Sequence, residues 1–561
     1  MKHILILFAI LLLSHSIPAQ DFDELNNEAV KERNNKNYLI AIELCNQSLS
    51  KKTNARAYSI RANAYYVLGN FESAISDFSS ALTYYNDYYG SDNKERTIIY
   101  YLMGRCRQKQ YKYSDAISYF NSALTYNYSK EGDVYWSIGN CYYSMGKYKE
   151  ADEAYQNAIS KFSDTNGLST LYENRADCKI MLRDYESAYS LYGTAITYNA
   201  NNYSAYEQRG KYKNIDGKYE DALADYSKAI DILSASGNAS GNDKLTKLYQ
   251  SKANVLGNLD RYSEAILVLD NAIKIDPNDA WNYQTAAGIY NDMKNHDQAR
   301  SEYEKAITLT TGKISKAYIY YYRSLMERGI LNFKNSLADI NKAIELNPES
   351  GFYFKQRSVL HGYKKNYPAA IKDCNTALEL YTNDSLNTAS LLWLRAGHKD
   401  KSGDYNGAKE DYNAYLKYYP ESHDTYYELG RLFKMRLKNN DLANANFAKA
   451  ARMALKAEDS STYCYIKIWS GEKEEALKMA LEMAEKYKDD KYRYKWQLHN
   501  LACYYSTLGN TVKGLEYHEK SMAAGFDDYP HLVTDRDLEL LMKLPQWKTI
   551  LAKYKVPVVK N

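Results

Sequence analysis

Side chains able to do chemistry are plentiful in this chain, but their spacing does not gather them. The nine histidines are scattered, and none has the His-Glu-x-x-His spacing that puts two zinc ligands one helical turn apart. No Cys-x-x-Cys pair, nucleophile elbow or Gly-rich phosphate loop occurs. The sequence therefore predicts no cofactor, no metal and no enzyme. A catalytic site would need His531, Asp535 and Asp537, near the C-terminus, to meet in a cleft. The seven cysteines are an odd number, so at least one thiol stays free. With 73 Lys+Arg against 69 Asp+Glu, the charge is balanced and excludes a polyanion reader, so no nucleic-acid partner is expected.

The elements that must position these groups are helices. Eight prolines and 26 glycines against 60 tyrosines in 561 residues favour uninterrupted helices with aromatic packing. A small residue recurs at Ala41, Ala74, Ala116, Ala151, Ala188, Ala222, Ala265, Ala299, Ser336, Ala370 and Ala408, at intervals of 33 to 43 residues. Twelve residues before each stands a second small residue: Ala29, Ala62, Gly104, Gly139, Ala176, Gly210, Ala253, Ala287, Ser324, Ser358 and Ala396. The pair lets two helices of a hairpin approach closely. With the later small residue as position 20, aromatics fill position 4 (Tyr58 to Phe354), position 17 (Tyr38 to Tyr405) and position 24 (Phe78, Phe120, Tyr155, Tyr192, Tyr226, Tyr303, Tyr412). Alanine fills position 27 from Ala81 to Ala377, and Pro277, Pro348 and Pro420 close their units at position 32.

These columns resemble the tetratricopeptide repeat, a helical hairpin of about 34 residues with small and aromatic residues at fixed offsets. The resemblance runs from about residue 22 to 525 and implies an all-α fold, an α-solenoid whose roughly fourteen hairpins form a right-handed superhelix. Cys106, Cys141 and Cys178 fall at one position of successive units, where stacked helices lie about 10 Å apart, beyond the ~7 Å that a disulfide allows; all seven cysteines are expected as core. Position 7 carries Arg61, Arg175, Arg209, Arg323, Arg357 and Arg395, and position 23 carries Asp77, Asp225, Asp339, Asp373 and Asp411. Every unit with the Asp also has the Arg, which predicts a bidentate pair clamping the hairpin, with Arg175 finding another acceptor.

In such repeats the concave surface is lined by positions 2, 5, 9, 12 and 13 of the first helices. Here those positions supply Arg56, Asn63, Tyr66, Tyr101, Arg105, Trp136, Asn140, Tyr143, Glu173 and Asp177. Asn offers a donor and an acceptor to an extended backbone, and Tyr and Trp add flat apolar area at small entropic cost. The resemblance thus implies a non-catalytic scaffold holding a protein or peptide partner. The alternative is a glycan-binding envelope protein that stacks sugars on the same aromatics. A second cluster, Trp281, Tyr318, Tyr321, Phe352, Tyr363, Trp393 and Tyr427, lies at comparable positions.

The two ends differ from the array. Lys2 and His3 precede the apolar run Ile4 to Leu13, then Ile17-Pro18-Ala19-Gln20, which reads as a signal peptide over 1–19 and predicts an exported, periplasmic or secreted, protein. No later run approaches the ~20 apolar residues of a membrane span. The array is then 20–525. Residues 526–561 resemble the helical end module of some bacterial repeat proteins, with helices expected at 535–543 and 545–554 and the role of covering the last hairpin. Two longer connections, around 86–94 and 234–243, are surface loops that could act as mild hinges.

Overall fold

The structure, a computed structural model, describes residues 21–90, 93–236, 242–381 and 384–560. Residues 1–19, read as the signal segment, lie outside the described residues, as does most of the Ser/Gly/Asn-rich connection before Asn242. The described residues form fourteen antiparallel helical hairpins, from Phe22–Asn34 with Tyr38–Lys51 to Lys491–Thr507 with Thr511–Ala523. They contain no strand, only an isolated bridge between Asn332 and Lys560. The chain divides after Glu264 into two compact units, each an α-solenoid of stacked hairpins with its own cores.

The repeating columns explain each hairpin. Position 17 is the first residue of the second helix in unit after unit, as at Phe71, Tyr185 and Tyr367, and a preceding Asn or Asp caps that helix by accepting from a backbone N–H two residues into it. The turn before the cap requires a left-handed residue, always at position 15. Six of these are glycines (Gly69, Gly146, Gly217, Gly403, Gly471, Gly509), while Lys36, Tyr111, Arg183, Asp260, Lys294, Leu331, Lys365 and Lys438 adopt the same positive φ. The small residue of the first helix faces the position-24 aromatic: a Cβ added to Gly139 would lie 2.5 Å from the Tyr155 ring. The short helix Tyr85–Tyr89 occupies the first of the two long connections.

All five expected clamps form. Arg61, Arg209, Arg323, Arg357 and Arg395 each donate Nε and one terminal nitrogen to both oxygens of Asp77, Asp225, Asp339, Asp373 and Asp411, at 2.5–2.9 Å. Arg175, lacking that Asp, turns to Asp152 and Gln156 of the preceding hairpin. The aspartates are buried, so removing one leaves a guanidinium in a largely dry site. Asp373→Ala is expected to cost about 3 kcal/mol in denaturant unfolding. The double change Arg357→Met with Asp373→Ala should cost clearly less than the two single changes added together, and a cost equal to their sum would mean that the pair is not coupled. All seven cysteines are buried and unbridged.

The end module departs from the expected pair of helices. It consists of a single turn Tyr529–Leu532, a 3-10 turn Arg536–Leu538, a further turn Glu539–Met542 and the helix Pro545–Lys553. The helix expected from 535 is broken because Asp535 caps the 3-10 turn, its Oδ1 accepting the Asp537 N–H at 2.9 Å. Arg536 and Asp537 then reach out to ion pairs elsewhere in the unit.

Candidate functional site

The ten residues assigned to the groove lie in the first unit on four successive first helices, Ala55–Val67, Lys94–Lys109, Glu131–Ser144 and Thr165–Met181. All ten are half-buried. Arg105 donates to the Tyr101 hydroxyl at 3.0 Å, and Tyr101 stacks on Tyr128 with centroids 5.1 Å apart. Arg56 is held by Asn27 at 2.8 Å and by Tyr88 at 3.3 Å. Asn63 bonds its own helix through the Ser59 carbonyl, and Tyr66 leans on Phe71. Asn140 accepts the Tyr155 hydroxyl at 2.8 Å, while Trp136 and Tyr143 meet Phe162 and Tyr148 edge-on. Part of each of these side chains is therefore taken up by contacts within the chain.

An acidic end of this surface is more distinctive. Burial pushes the Asp177 carboxyl up to about 6, against the Tyr192 hydroxyl that donates to it at 2.5 Å, and Glu173 adds to the rise. Glu173 accepts from Asn202 and Ser204 of the next hairpin. Burial also raises Glu207, with Lys244 and Lys211 opposing. Tyr88, Asn202, Ser204, Glu207, Lys211 and Lys244 extend the surface but were not among the predicted residues; Glu207 and Lys211 carry the spacing signal, at positions 5 and 9 of the next unit.

In the second unit the aromatic cluster splits. Trp281, Tyr318, Tyr321 and Phe352 form a contiguous ladder, with Trp281 44 % exposed and Tyr318 sharing a 2.7 Å hydroxyl contact with Tyr322. Tyr363, Trp393 and Tyr427 instead line a cavity of about 560 Å³ whose other wall is the end module. His531, Asp535 and Asp537, the groups a cleft would require, all line it, together with His398, Glu428 and His499.

The end module does cover the last hairpin: Phe526, Leu538, Leu541 and Trp547 pack with Ala502 and Met522. It also crosses to earlier hairpins. Tyr529, Val533 and Val556 pack against the core of Phe333, Tyr353 and Leu360. Arg536 donates to Asp400 at 2.6 Å and to Glu428 at 3.4 Å, and Arg431 donates to Asp537 at 3.4 Å. The Lys560 N–H and carbonyl bond Leu331 and Lys334. Asp400 and Arg431 hold positions 12 and 9 of their units, so the module occupies the first-helix face that the resemblance assigns to ligands. The second cluster is thus partly filled by the chain itself.

Among the described residues no helix is long and apolar enough to cross a membrane. Profiles of the tetratricopeptide repeat match residues 53–127, 132–160, 246–279 and 282–313. Human sperm-associated antigen 1 is 26 % identical over 107 residues, which is 19 % of this chain and 11 % of that protein. Among solved structures, yeast Tom70 is 16 % identical, with 80 % of this chain and 95 % of that chain covered and a TM-score of 0.39. The C-terminal part of a repeat-containing protein from Cytophaga hutchinsonii is 19 % identical over 44 % of this chain and 94 % of its own, with a TM-score of 0.36. A tetratricopeptide repeat protein from Parabacteroides merdae is 20 % identical, covering 45 % of this chain and 94 % of its own, also with a TM-score of 0.36. The matched profiles, the columns and the hairpins they build identify the chain as a tetratricopeptide-repeat protein.

Proposed function

We propose that the protein is an exported, non-catalytic scaffold that holds a protein or peptide segment on the first-helix face of its first unit. The repeat family supports an interaction scaffold in general. The observation that carries the finer reading is the second unit, where the same face already holds a polypeptide, the end module, through apolar packing and through ion pairs at positions 9 and 12. The first unit presents Tyr66, Tyr101, Arg105, Trp136, Tyr143, Glu173 and Asp177 half-exposed at equivalent positions. A partner segment with an aromatic anchor and a basic group fits the half-buried acidic end at Asp177 and Glu173.

The test is affinity capture from the exported fraction with the full mature chain, compared with a Tyr66→Ala, Arg105→Ala, Tyr143→Ala variant. Asn140 is left intact because Tyr155 would lose its acceptor. The variant should keep its helical circular dichroism and lose at least about tenfold in affinity for whatever partner the parent captures. Unchanged capture would move the site elsewhere. Binding on a glycan array without any captured protein would favour the sugar-binding reading, with Trp281 and Tyr318 as its platform. N-terminal sequencing of the exported form should begin at Gln20.

A further inference from the structure

Two residues that line the second-unit cavity, His499 and Asp535, meet the buried Cys503 beside it. His499 and Cys503 are four residues apart on the helix Lys491–Thr507, hence on one face, and Asp535 enters from the end module. His499 Nε2 lies 3.3 Å from Asp535 Oδ2, Cys503 Sγ lies 3.4 Å from the same oxygen, and Sγ and Nε2 are 3.7 Å apart. A tetrahedral zinc ion with ordinary bond lengths sets its ligands apart by about 3.3 Å for nitrogen to oxygen, about 3.5 Å for oxygen to sulfur and about 3.6 Å for nitrogen to sulfur. The three distances thus have the lengths of one face of a zinc coordination tetrahedron.

We propose that His499 Nε2, Cys503 Sγ and one oxygen of Asp535 form a binding site for a borderline-soft divalent cation of the zinc class. The donor set is a nitrogen, a sulfur and a carboxylate, the mixture that selects zinc over calcium or magnesium. The turn that Asp535 caps also orients its carboxylate, because Oδ1 accepts the Asp537 N–H at 2.9 Å and Oδ2 is left directed at the other two groups. The histidine is fixed by stacking on Phe526, with centroids 4.4 Å apart in near-parallel planes. With three protein ligands the fourth position belongs to water or a small ligand from the cavity, where His531 stands with Nε2 3.4 Å from the same Asp535 oxygen. On binding, the Cys503 S–H gives its proton to solvent as the metal–sulfur bond forms. The imidazole keeps its proton on Nδ1 and offers the Nε2 lone pair. A site of this kind ties the end module to the last hairpin.

The plain alternative is a hydrogen-bond hub in which Asp535 accepts from His499, Cys503 and His531 and no metal binds. The second loose cluster, His423 with Asp424 and Asp459, is a control position. The full mature chain, stripped with chelator and dialysed, is titrated with Co²⁺ and, separately, with Zn²⁺ followed by elemental analysis. Expected are about one metal per chain, a thiolate-to-cobalt charge-transfer band and intense visible bands of tetrahedral Co²⁺. Cys503→Ala and Asp535→Asn should each abolish the bands, and His423→Ala should keep them. Absence of the charge-transfer band in the parent chain, or its survival in Cys503→Ala, would overturn the proposal. Should Cys503→Ala fail to fold, the parent's spectrum together with Asp535→Asn, which retains the cap, decides the question.

Discussion

Truncation after Gly525 is expected to loosen two separate regions of the second unit at once. Hydrogen exchange should rise in the last hairpin, where Ala502 and Met522 lose Leu538, Leu541 and Trp547. It should rise equally around Phe333, Tyr353 and Leu360, far away in sequence, where Tyr529, Val533 and Val556 are withdrawn. Trp547 and the three leucines Leu532, Leu538 and Leu541 are almost wholly buried, and each buried side chain of this size contributes about 1.5–3 kcal/mol. Asp400 and Arg431 would also be left without the partners the module supplies. Together these predict a loss of more than about 5 kcal/mol, enough to unfold part of the unit. A module that merely capped the array would expose the last hairpin and leave 317–363 protected; that pattern of exchange would refute the crossing contacts. Trp547→Ala, at about 3–5 kcal/mol, is the milder form of the same test.

The hairpins were legible because their causes repeat. A glycine or alanine facing an aromatic recurs from unit to unit, as Gly139 faces Tyr155, and periodicity reports it without any structure. The clamps were legible for the same reason: Arg357 and Asp373 stand 16 residues apart in one hairpin, and the pair recurs in four others. The left-handed residue at position 15 was legible only where it is glycine, since Tyr111 and Leu331 adopt the same φ with nothing in their side chains to announce it. The path of the end module was hidden because Arg536 meets Asp400 across 136 positions and Arg431 meets Asp537 across 106, contacts that no column carries. Exposure was hidden too. Asn140 sits where a ligand would want it, yet its oxygen is engaged by Tyr155, which lies on the partner helix of the same hairpin.

Acid should undo the second unit before the first. Burial holds His518 down to about 3 and His398 to about 4, against an ordinary 6.5, with Lys401 adding to the depression at His398 and His499 to that at His518. His518 stacks on Trp547 with centroids 4.0 Å apart and both ring nitrogens unpartnered, and His398 bonds Ser358 at 3.1 Å. Below pH 6.5 the unfolded chain takes up these two protons and the folded chain does not, so stability present above 6.5 is lost as pH falls toward 4. Two groups losing about 1.4 kcal/mol per pH unit each would remove roughly 5 kcal/mol by pH 4.5. Asp177 in the first unit works the other way: with its carboxyl raised to about 6, the folded state gains the proton first, and its contribution grows as pH falls through that value. Hydrogen exchange at pH 7 and 4.5, corrected for intrinsic rates, should therefore show the second unit opening selectively. His518→Phe keeps the stack on Trp547 without a titrating group and should recover about half of the loss while changing the pH 7 stability little. If the acid midpoint of His518→Phe matches that of the parent, the neutral buried histidine is not the cause.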